Sequence, residues 1–465
     1  MVENIYIVSL KISMQEGGRM KKALITVVLV LFISPIVFGS LVTNTNQSTM
    51  YIRMLARNAS TDIDAVYFNP AGVTMLKNGF HLAVHNQTIT QDKTIINAFP
   101  YLNNDEYVGE TRVPFFPTVF AVYKMDKLAV SFGFGPNAGG GSADYANGLP
   151  SFEIGISQIP VLLSMMGLPT TQYSAEIEFN GSSIYYGFQF NLAYAINDMF
   201  SIAAGMRYIY AVNEYEGFIR NIMINPYHPL ANPQASMVPA SQFFTMIGQT
   251  SLAAATADQG VNVKQTGSGI TPIFGLNIKP TENLNIGISY EFNTKLELEN
   301  DTTTDDSGMF PDGYKFRSDI PAILSLGAEY ALTPEFRAMF SYHMFFDRNA
   351  DWEGAEDFVD SNTYDLAFGL EYNITEAFLV SAGYLYTKFN LGDDYLSEMT
   401  FDLSANTFGL GAQYTFSQNF TVDVGFLTVS YSEDSKNIDY GLFGTYTETY
   451  KKSSMVISIG FGYHF

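Results

Sequence analysis

The chain has 465 residues, 47% of them apolar and only 15% charged, against roughly one quarter charged in soluble domains. Mean hydropathy is near zero, and beyond the N-terminal region no apolar run reaches the ~18 residues of a membrane helix, so neither a soluble globule nor a helical membrane protein fits. Lysine plus arginine less aspartate plus glutamate is 24 − 46 = −22, with no basic stripe, which excludes a nucleic acid partner.

Residues 1–19 do not resemble part of a targeting segment. Met20 is the expected true start, since Gln15-Glu16-Gly17-Gly18-Arg19 reads as a translated ribosome-binding sequence. Residues 20–39 have the three parts of a secretory signal: Lys21-Lys22, an apolar run from Ala23 to Phe38, and small residues that place cleavage after Gly39 or Ser40. The run is short for an anchor and no basic stop-transfer follows it. Cysteine is absent, which suits export to an oxidising compartment where a stray thiol mispairs.

Residues 40–77 show no strand alternation. They contain Asn69-Pro70-Ala71-Gly72. Pro70 fixes φ and drives Asn69 out of the α region. The Asn69 side chain can bond nearby backbone. Ala71 and Gly72 leave room for close packing, and Gly72 is free to take a positive φ. Such a segment serves either as a tight turn into the first strand or as a packed plug.

From Gly79 the chain reads as strand, short turn, strand, long loop, repeated. Short turns include Met125-Asp126-Lys127, Asn197-Asp198, Thr333-Pro334-Glu335 and Thr375-Glu376, with the Asp, Asn and Pro that tight turns require. In between, large apolar residues alternate with small or polar ones, as in Leu366, Phe368, Leu370 and Tyr372 against Ala367, Gly369 and Glu371. Tyr and Phe supply nearly all of the 15% aromatic content, the composition of interfacial girdles. The pattern predicts an all-β, transmembrane antiparallel barrel of about 14 strands in a bacterial outer membrane. Expected starts are 79, 112, 127, 174, 199, 261, 284, 314, 336, 362, 377, 400, 420 and 453. The last strand puts Ile457, Ile459, Phe461, Tyr463 and Phe465 on one face. A barrel of this size is too wide for its own side chains to fill, so it is plugged or it is an open pore.

Signal, short irregular segment, strand count, terminal Phe465 and Asn69-Pro70-Ala71 together resemble the long-chain fatty acid outer-membrane transporter family (FadL-like), which includes aromatic hydrocarbon transporters. The resemblance covers essentially the whole mature chain. It implies that 40–77 is a hatch inside the lumen of a barrel formed by 78–465. It also implies passive transport of long-chain fatty acids or other hydrophobic small molecules, with no cofactor and no enzyme activity. The implied partners are a hydrophobic ligand, outer-membrane lipid and lipopolysaccharide, and the barrel-assembly machinery that reads a terminal aromatic strand. In the family, cargo is captured among the outer loops, enters a lumen pocket, and leaves sideways where the third strand kinks. The polar stretch Thr43 to Ser48 departs from the extended segment that often begins the family's mature chains, which puts the ligand contact made there in question.

Candidate residues follow from these steps. Ser151 to Leu168 is too apolar for a solvated loop and reads as one or two short helices. Ile159, Leu162, Leu163, Met165, Met166 and Leu168, with Phe243 and Phe244 from the loop 221–260, are the expected walls of an outer groove; simple packing on the barrel rim is the alternative. Gly133, Gly135, Pro136 and Gly139 mark a lateral opening in the third strand or the start of a flexible loop. Parity points Arg207 and Arg317 inward as candidates for a ligand carboxylate, against the competing expectation that lumen arginines pair with acids such as Glu329 or Glu371. Arg53 and Arg57 are similar candidates. His81 and His85 share a strand face without a third ligand, so no metal site is expected, and no Gly-x-Ser-x-Gly elbow or Ser/His/Asp set occurs. The acids Asp301, Asp305, Asp306 and Asp312 read as a solvated loop or, alternatively, a calcium site. Two rival functions stand: a general porin for small polar solutes, and a closed structural or adhesive barrel.

Overall fold

The computed structural model describes residues 43–417 and 419–465, so the upstream extension 1–19 and the signal 20–39 lie outside the described residues. No helix among them is long and apolar enough to cross a membrane. The strands are β1 (Gly79–Asn97), β2 (Glu106–Met125), β3 (Leu128–Tyr145), β4 (Tyr173–Ala195), β5 (Phe200–Ile224), β6 (Val238–Pro239), β7 (Gln259–Thr281), β8 (Leu284–Glu291), β9 (Glu297–Asp305), β10 (Lys315–Arg317), β11 (Ile323–Ala331), β12 (Phe336–Phe345), β13 (Tyr364–Asn373), β14 (Phe378–Lys388), β15 (Ala405–Ser417), β16 (Phe420–Tyr431), β17 (Asp434–Asp439) and β18 (Thr445–His464).

All eighteen segments join one antiparallel sheet, and β1 pairs with both β2 and β18, which closes it. β8 continues into β9 and β10 into β11 across interruptions joined by the bridge Thr294↔Ile320. β6 and β17 are accessory strands that pair with the ends of β5 and β18. Eighteen segments, less two accessory strands and two interruptions, leave a closed barrel of fourteen strands among the described residues. Closure removes the unpaired edges that hydrocarbon cannot tolerate.

Three strand starts differ from those predicted by more than two residues: β2 begins at Glu106, β15 at Ala405 and β18 at Thr445. β15 starts later because 400–404 belong to the loop that precedes it, whereas β2 and β18 start earlier because outside the apolar band the outward face turns polar, so the alternation fades while the ladder continues. Thr445 to Tyr450 extend in this way and pair with β17. Within the band the alternation is kept. Met455, Ile457, Ile459, Phe461, Tyr463 and Phe465 are exposed, whereas Val456 and Ser458 are buried. The Phe465 N–H donates to the Phe80 carbonyl at 2.8 Å, tying the chain end to the first strand.

Residues 43–78 fold inside the ring. Ser48 caps helix α1 (Thr49–Met54), its hydroxyl accepting the Tyr51 N–H. A second helix, α2 (Ala65–Phe68), leads to a 3-10 helix over Pro70–Met75. Asn69 is extended; its side-chain oxygen accepts the Ala71 N–H at 3.3 Å, and its amide donates to the Leu276 carbonyl of β7 at 3.1 Å. Gly72 does not take a positive φ. It is required by close approach, because a Cβ there would lie 2.2 Å from the Ser60 carbonyl oxygen. The wall makes matching room. A Cβ on Gly383 would meet the Met54 carbonyl oxygen at 1.9 Å, and one on Gly287 the Asn58 carbonyl oxygen at 2.0 Å. These glycines face Gly369 and Gly327 on neighbouring strands. Bare backbone on the lumen face thus lets the plug backbone pack directly on the wall. Ile52, Met54, Leu55 and Val66 complete the core with Phe120, Leu385, Leu427 and Val456.

The described chain divides into two compact units. The one just described holds 43–153, 176–219 and 259–465; the other joins the loop stretches 154–175 and 220–258.

Candidate functional site

Above the plug lies a cavity of about 540 Å³. Thr43 to Asn46 and Tyr51 form its floor, and Met399 to Leu403 its roof. Its walls mix aliphatic and aromatic groups (Ile89, Val113, Phe116, Leu427) with hydroxyl and charged ones. The polar start of the described chain, whose ligand contact the sequence put in question, therefore lines the cavity. Thr43 bridges to Ala138, and the Asn44 N–H donates to the Asn137 carbonyl at 2.8 Å.

That docking point is where the barrel wall is irregular. β2 and β3 pair from Val119↔Phe134 to Met125↔Leu128 and again at Gly109↔Tyr145 and Glu110↔Asp144, but no ladder joins them between. β3 also slips register against β4 at Pro136/Ala138 and Ala138/Gly141. Pro114 and Pro117 on the β2 edge, and Pro136 on the β3 edge, have no N–H to give. Gly139 and Gly141 take positive φ, at 106° and 71°. The result is a seam without a backbone–backbone ladder, over Thr111–Thr118 on one side and Gly135–Ala143 on the other, crossed at its end by the Thr111 hydroxyl donating to the Ser142 carbonyl. Both edges line the cavity. The sequence flagged the β3 edge. It did not flag the β2 edge, although two prolines three residues apart in one strand were a usable signal. Gly133 remains in the ladder opposite Phe120. A Cβ on Gly133 would lie 3.1 Å from Val66 of the plug, and one on Gly135 would meet the Thr118 methyl of β2 at 2.3 Å and Gln47 of the plug at 2.7 Å, so Gly133 makes room for the plug and Gly135 for both the plug and the facing strand.

The charged groups are arranged differently from expectation. Arg207 lies inside the barrel, but Glu291 and Gln189 hold its guanidinium, which also sits 4.7 Å over the Tyr67 ring of the plug. It does not line the cavity. Arg317 does not point inward. Phe316 takes that parity, opposite Leu298 in a buried cluster with Tyr185 and Ile209, and Arg317 pairs with Asp319 at 2.6 Å. The interruption between β10 and β11 breaks the parity count that the sequence relied on. Arg53 of the plug pairs with Glu371 and with Asp423 at 3.0 Å, and Ser381 accepts a further bond. Arg57 is held within the plug by Asp62 and Asp64, both at 2.7 Å. Arg337 of β12 reaches Asp62 at 3.4 Å, Glu329 at 3.1 Å, and Glu371. The cations that do line the cavity are Lys93 and Lys452. The sequence reading missed both, though Lys93 shares parity with the inward residues Ile89 and Gln91.

The loop stretches form two helices after β3, α3 (Pro150–Ser157) and α4 (Ile159–Met165), and two before β7, α5 (Ala240–Met246) and α6 (Thr250–Ala255). Of the predicted groove residues, Ile159, Leu162, Leu163, Phe243 and Phe244 are buried. Met165 is the exposed one, at 72%, with Met166 and Leu168 intermediate. Most of the expected groove wall is therefore buried rather than open to solvent, as large apolar side chains usually are.

Within the barrel unit the cavity roof is latched by acids. The Ser151 N–H and hydroxyl donate to Glu398 at 2.9 Å and 2.6 Å, Asn97 donates to Glu448 at 2.7 Å, and the Tyr450 hydroxyl donates to Glu448 as well. Burial, and then the neighbouring Glu448, hold the Glu398 carboxyl well above its ordinary 4.5. A raised folded-state value means that this contribution is complete below about pH 4.5 and is lost as pH climbs through the folded value. The thermal midpoint in detergent should therefore fall from mildly acid to alkaline pH, and Glu398→Gln should flatten that slope. Parallel curves for the two proteins would show that Glu398 does not control the latch.

A family model described as outer membrane protein transport protein (OMPP1/FadL/TodX) matches residues 170–465. No curated protein matches the chain. Among solved structures, a Pseudomonas aeruginosa FadL homologue superposes with a TM-score of 0.58 at 16% identity, covering 93% of this chain and 99% of that one. The P. putida toluene transporter TodX gives 0.56 at 14% identity, covering 87% and 95%. The Ralstonia pickettii toluene transporter TbuX gives 0.53 at 16%, covering 87% and 94%. At these identities the likeness is one of fold.

Proposed function

The chain belongs to the outer membrane protein transport family (OMPP1/FadL/TodX), and we propose that it carries small hydrophobic molecules from the lumen cavity sideways through the barrel wall at the β2–β3 seam. Membership makes it an outer-membrane transport protein rather than an enzyme. The observation that carries the route is that one cavity touches both edges of a seam with no backbone ladder. Parting that seam breaks no ladder hydrogen bonds, whereas moving the plug would break its buried ion pairs and expose its core. A volume of about 540 Å³ falls in the ~300–1,000 Å³ range of small-molecule pockets. Fatty acids and aromatic hydrocarbons are both cargo candidates: two of the superposed structures are toluene transporters and one is a FadL homologue.

A porin for polar solutes would need an open lumen, and here the plug's core and ion pairs fill it. The refolded mature chain is expected to bind a fluorescent long-chain fatty acid or an aromatic hydrocarbon saturably, to speed its entry into proteoliposomes, and to show little steady conductance in planar bilayers. Large steady channels without saturable binding would replace this reading with a porin. A heat-modifiable barrel with neither property would point to a structural role.

A further inference from the structure

We propose that the cavity wall formed by β12–β14 carries an acceptor subsite, built from Asp365 and Asp347, that selects hydrophobic molecules bearing a hydroxyl donor; this rests on the transport reading above. His343, Asp365 and Thr387 stand directly opposite one another on β12, β13 and β14. They share the lumen parity of Met339, Ala367 and Leu385, which are buried against the plug. One step toward the outer loops, the N–H of Thr363 donates to the Asp347 carboxylate at 2.8 Å. Asp347, Thr363, Asp365 and Thr387 all line the cavity.

The wall acids nearer the plug are already spent. Glu291, Glu371 and Asp423 are each held by an arginine, and Asp402 of the roof by Lys452 at 3.3 Å. Among the described residues no lysine or arginine pairs with Asp347 or Asp365. Asp365 lies 3.6 Å from the His343 Nδ1, too far for a hydrogen bond. Yet Asp347 is 0% exposed, and Asp365 and His343 are each 4% exposed. Asp347 Oδ1, Asp365 Oδ1 and His343 Nδ1 are buried without a hydrogen-bond partner in the chain. Such atoms are costly and rare, and a carboxylate has no proton of its own to give, so the missing partner is a donor. A metal ion does not fit, since no group of three or more His, Asp or Glu side chains among the described residues could hold one. Lys93 and Lys452 line the same cavity and repel a cationic head, so a neutral hydroxyl is the matching donor. A cavity of this volume admits water, which satisfies the acceptors until cargo enters. A hydrocarbon that displaces that water strands them, whereas a hydroxyl replaces the lost bonds. The apolar body then lies against Phe345, Leu385 and Leu427.

The test uses the refolded mature chain with toluene, para-cresol and the methyl ether of para-cresol. These share one ring and carry no polar group, a donor, or an acceptor alone. Binding is scored by displacement of a fluorescent lipid. Hydrogen bonding to a charged acceptor predicts that the wild type prefers the cresol to its ether by roughly 10- to 100-fold, against the order that apolar area alone gives. Asp365→Asn combined with Asp347→Asn should collapse that ratio toward one and leave toluene affinity unchanged. Asp365→Asn alone, which disturbs the wall less, should lower the ratio part of the way. A wild-type ratio of one or below, or a ratio that survives these changes, overturns the subsite and leaves hydrophobic transport standing. Failure of all three probes to bind a heat-modifiable barrel overturns both readings.

Discussion

Arg53→Ala is expected to free the plug. Arg53 is 1% exposed and is the only plug cation that, among the described residues, pairs with two wall acids, Glu371 and Asp423. Removing it leaves those carboxylates buried, and breaking a buried pair from one side costs about 3–5 kcal/mol. Arg337 still reaches Glu371, so Asp423 bears the larger share of the loss. The result should be a lower guanidinium midpoint in detergent and a steady conductance in planar bilayers where the wild type has little. Replacing the whole set (Arg53→Met with Glu371→Gln and Asp423→Asn) should recover most of the stability, because it leaves no uncompensated charge. Unchanged stability and conductance in Arg53→Ala would mean that apolar packing alone holds the plug.

Closing the seam with a covalent bond should stop transport. A Cβ on Gly141 would lie 3.9 Å from the Val113 γ-methyl across the unladdered stretch, close to the Cβ separation of a disulfide, at the cost of placing a cysteine at a φ of 71°. The chain has no cysteine, so Val113→Cys with Gly141→Cys creates a single unambiguous pair. The other break in the wall, between β8–β9 and β10–β11, is spanned by the Thr294↔Ile320 bridge, and parting paired strands in hydrocarbon exposes their backbone groups, so oxidation should cut uptake by about tenfold or more. Reductant should restore it, while binding to the cavity persists. Uptake that is indifferent to oxidation, with the cross-link verified by mass, would move the exit elsewhere, the periplasmic end of the lumen being the next place to look.

The sequence by itself determined the barrel. Period-two alternation, aromatic content, short turns and the terminal Phe465 each report a local rule, that every residue faces either lipid or lumen, and such rules survive without knowledge of neighbours. Asn69-Pro70-Ala71-Gly72 likewise announced a compact segment, because proline geometry and small side chains act within a few residues. Tertiary structure alone decided which charges are spent. Arg207 and Arg53 look like free lumen cations until Glu291, Glu371 and Asp423 arrive from strands far along the chain. Arg317 loses its inward parity to the interruption at 318–322, where Ser318, Asp319 and Pro321 mark a break but not the face on which the strand resumes. Lys93 becomes a cavity cation only because barrel closure brings the last strand beside the first, placing Lys452 opposite it. The seam has the same origin. Pro136 and the glycines after it weaken one edge, but a gap exists only where the prolines of β2 meet them. A missing hydrogen-bond ladder belongs to a pair of strands, and neither strand's sequence contains it alone.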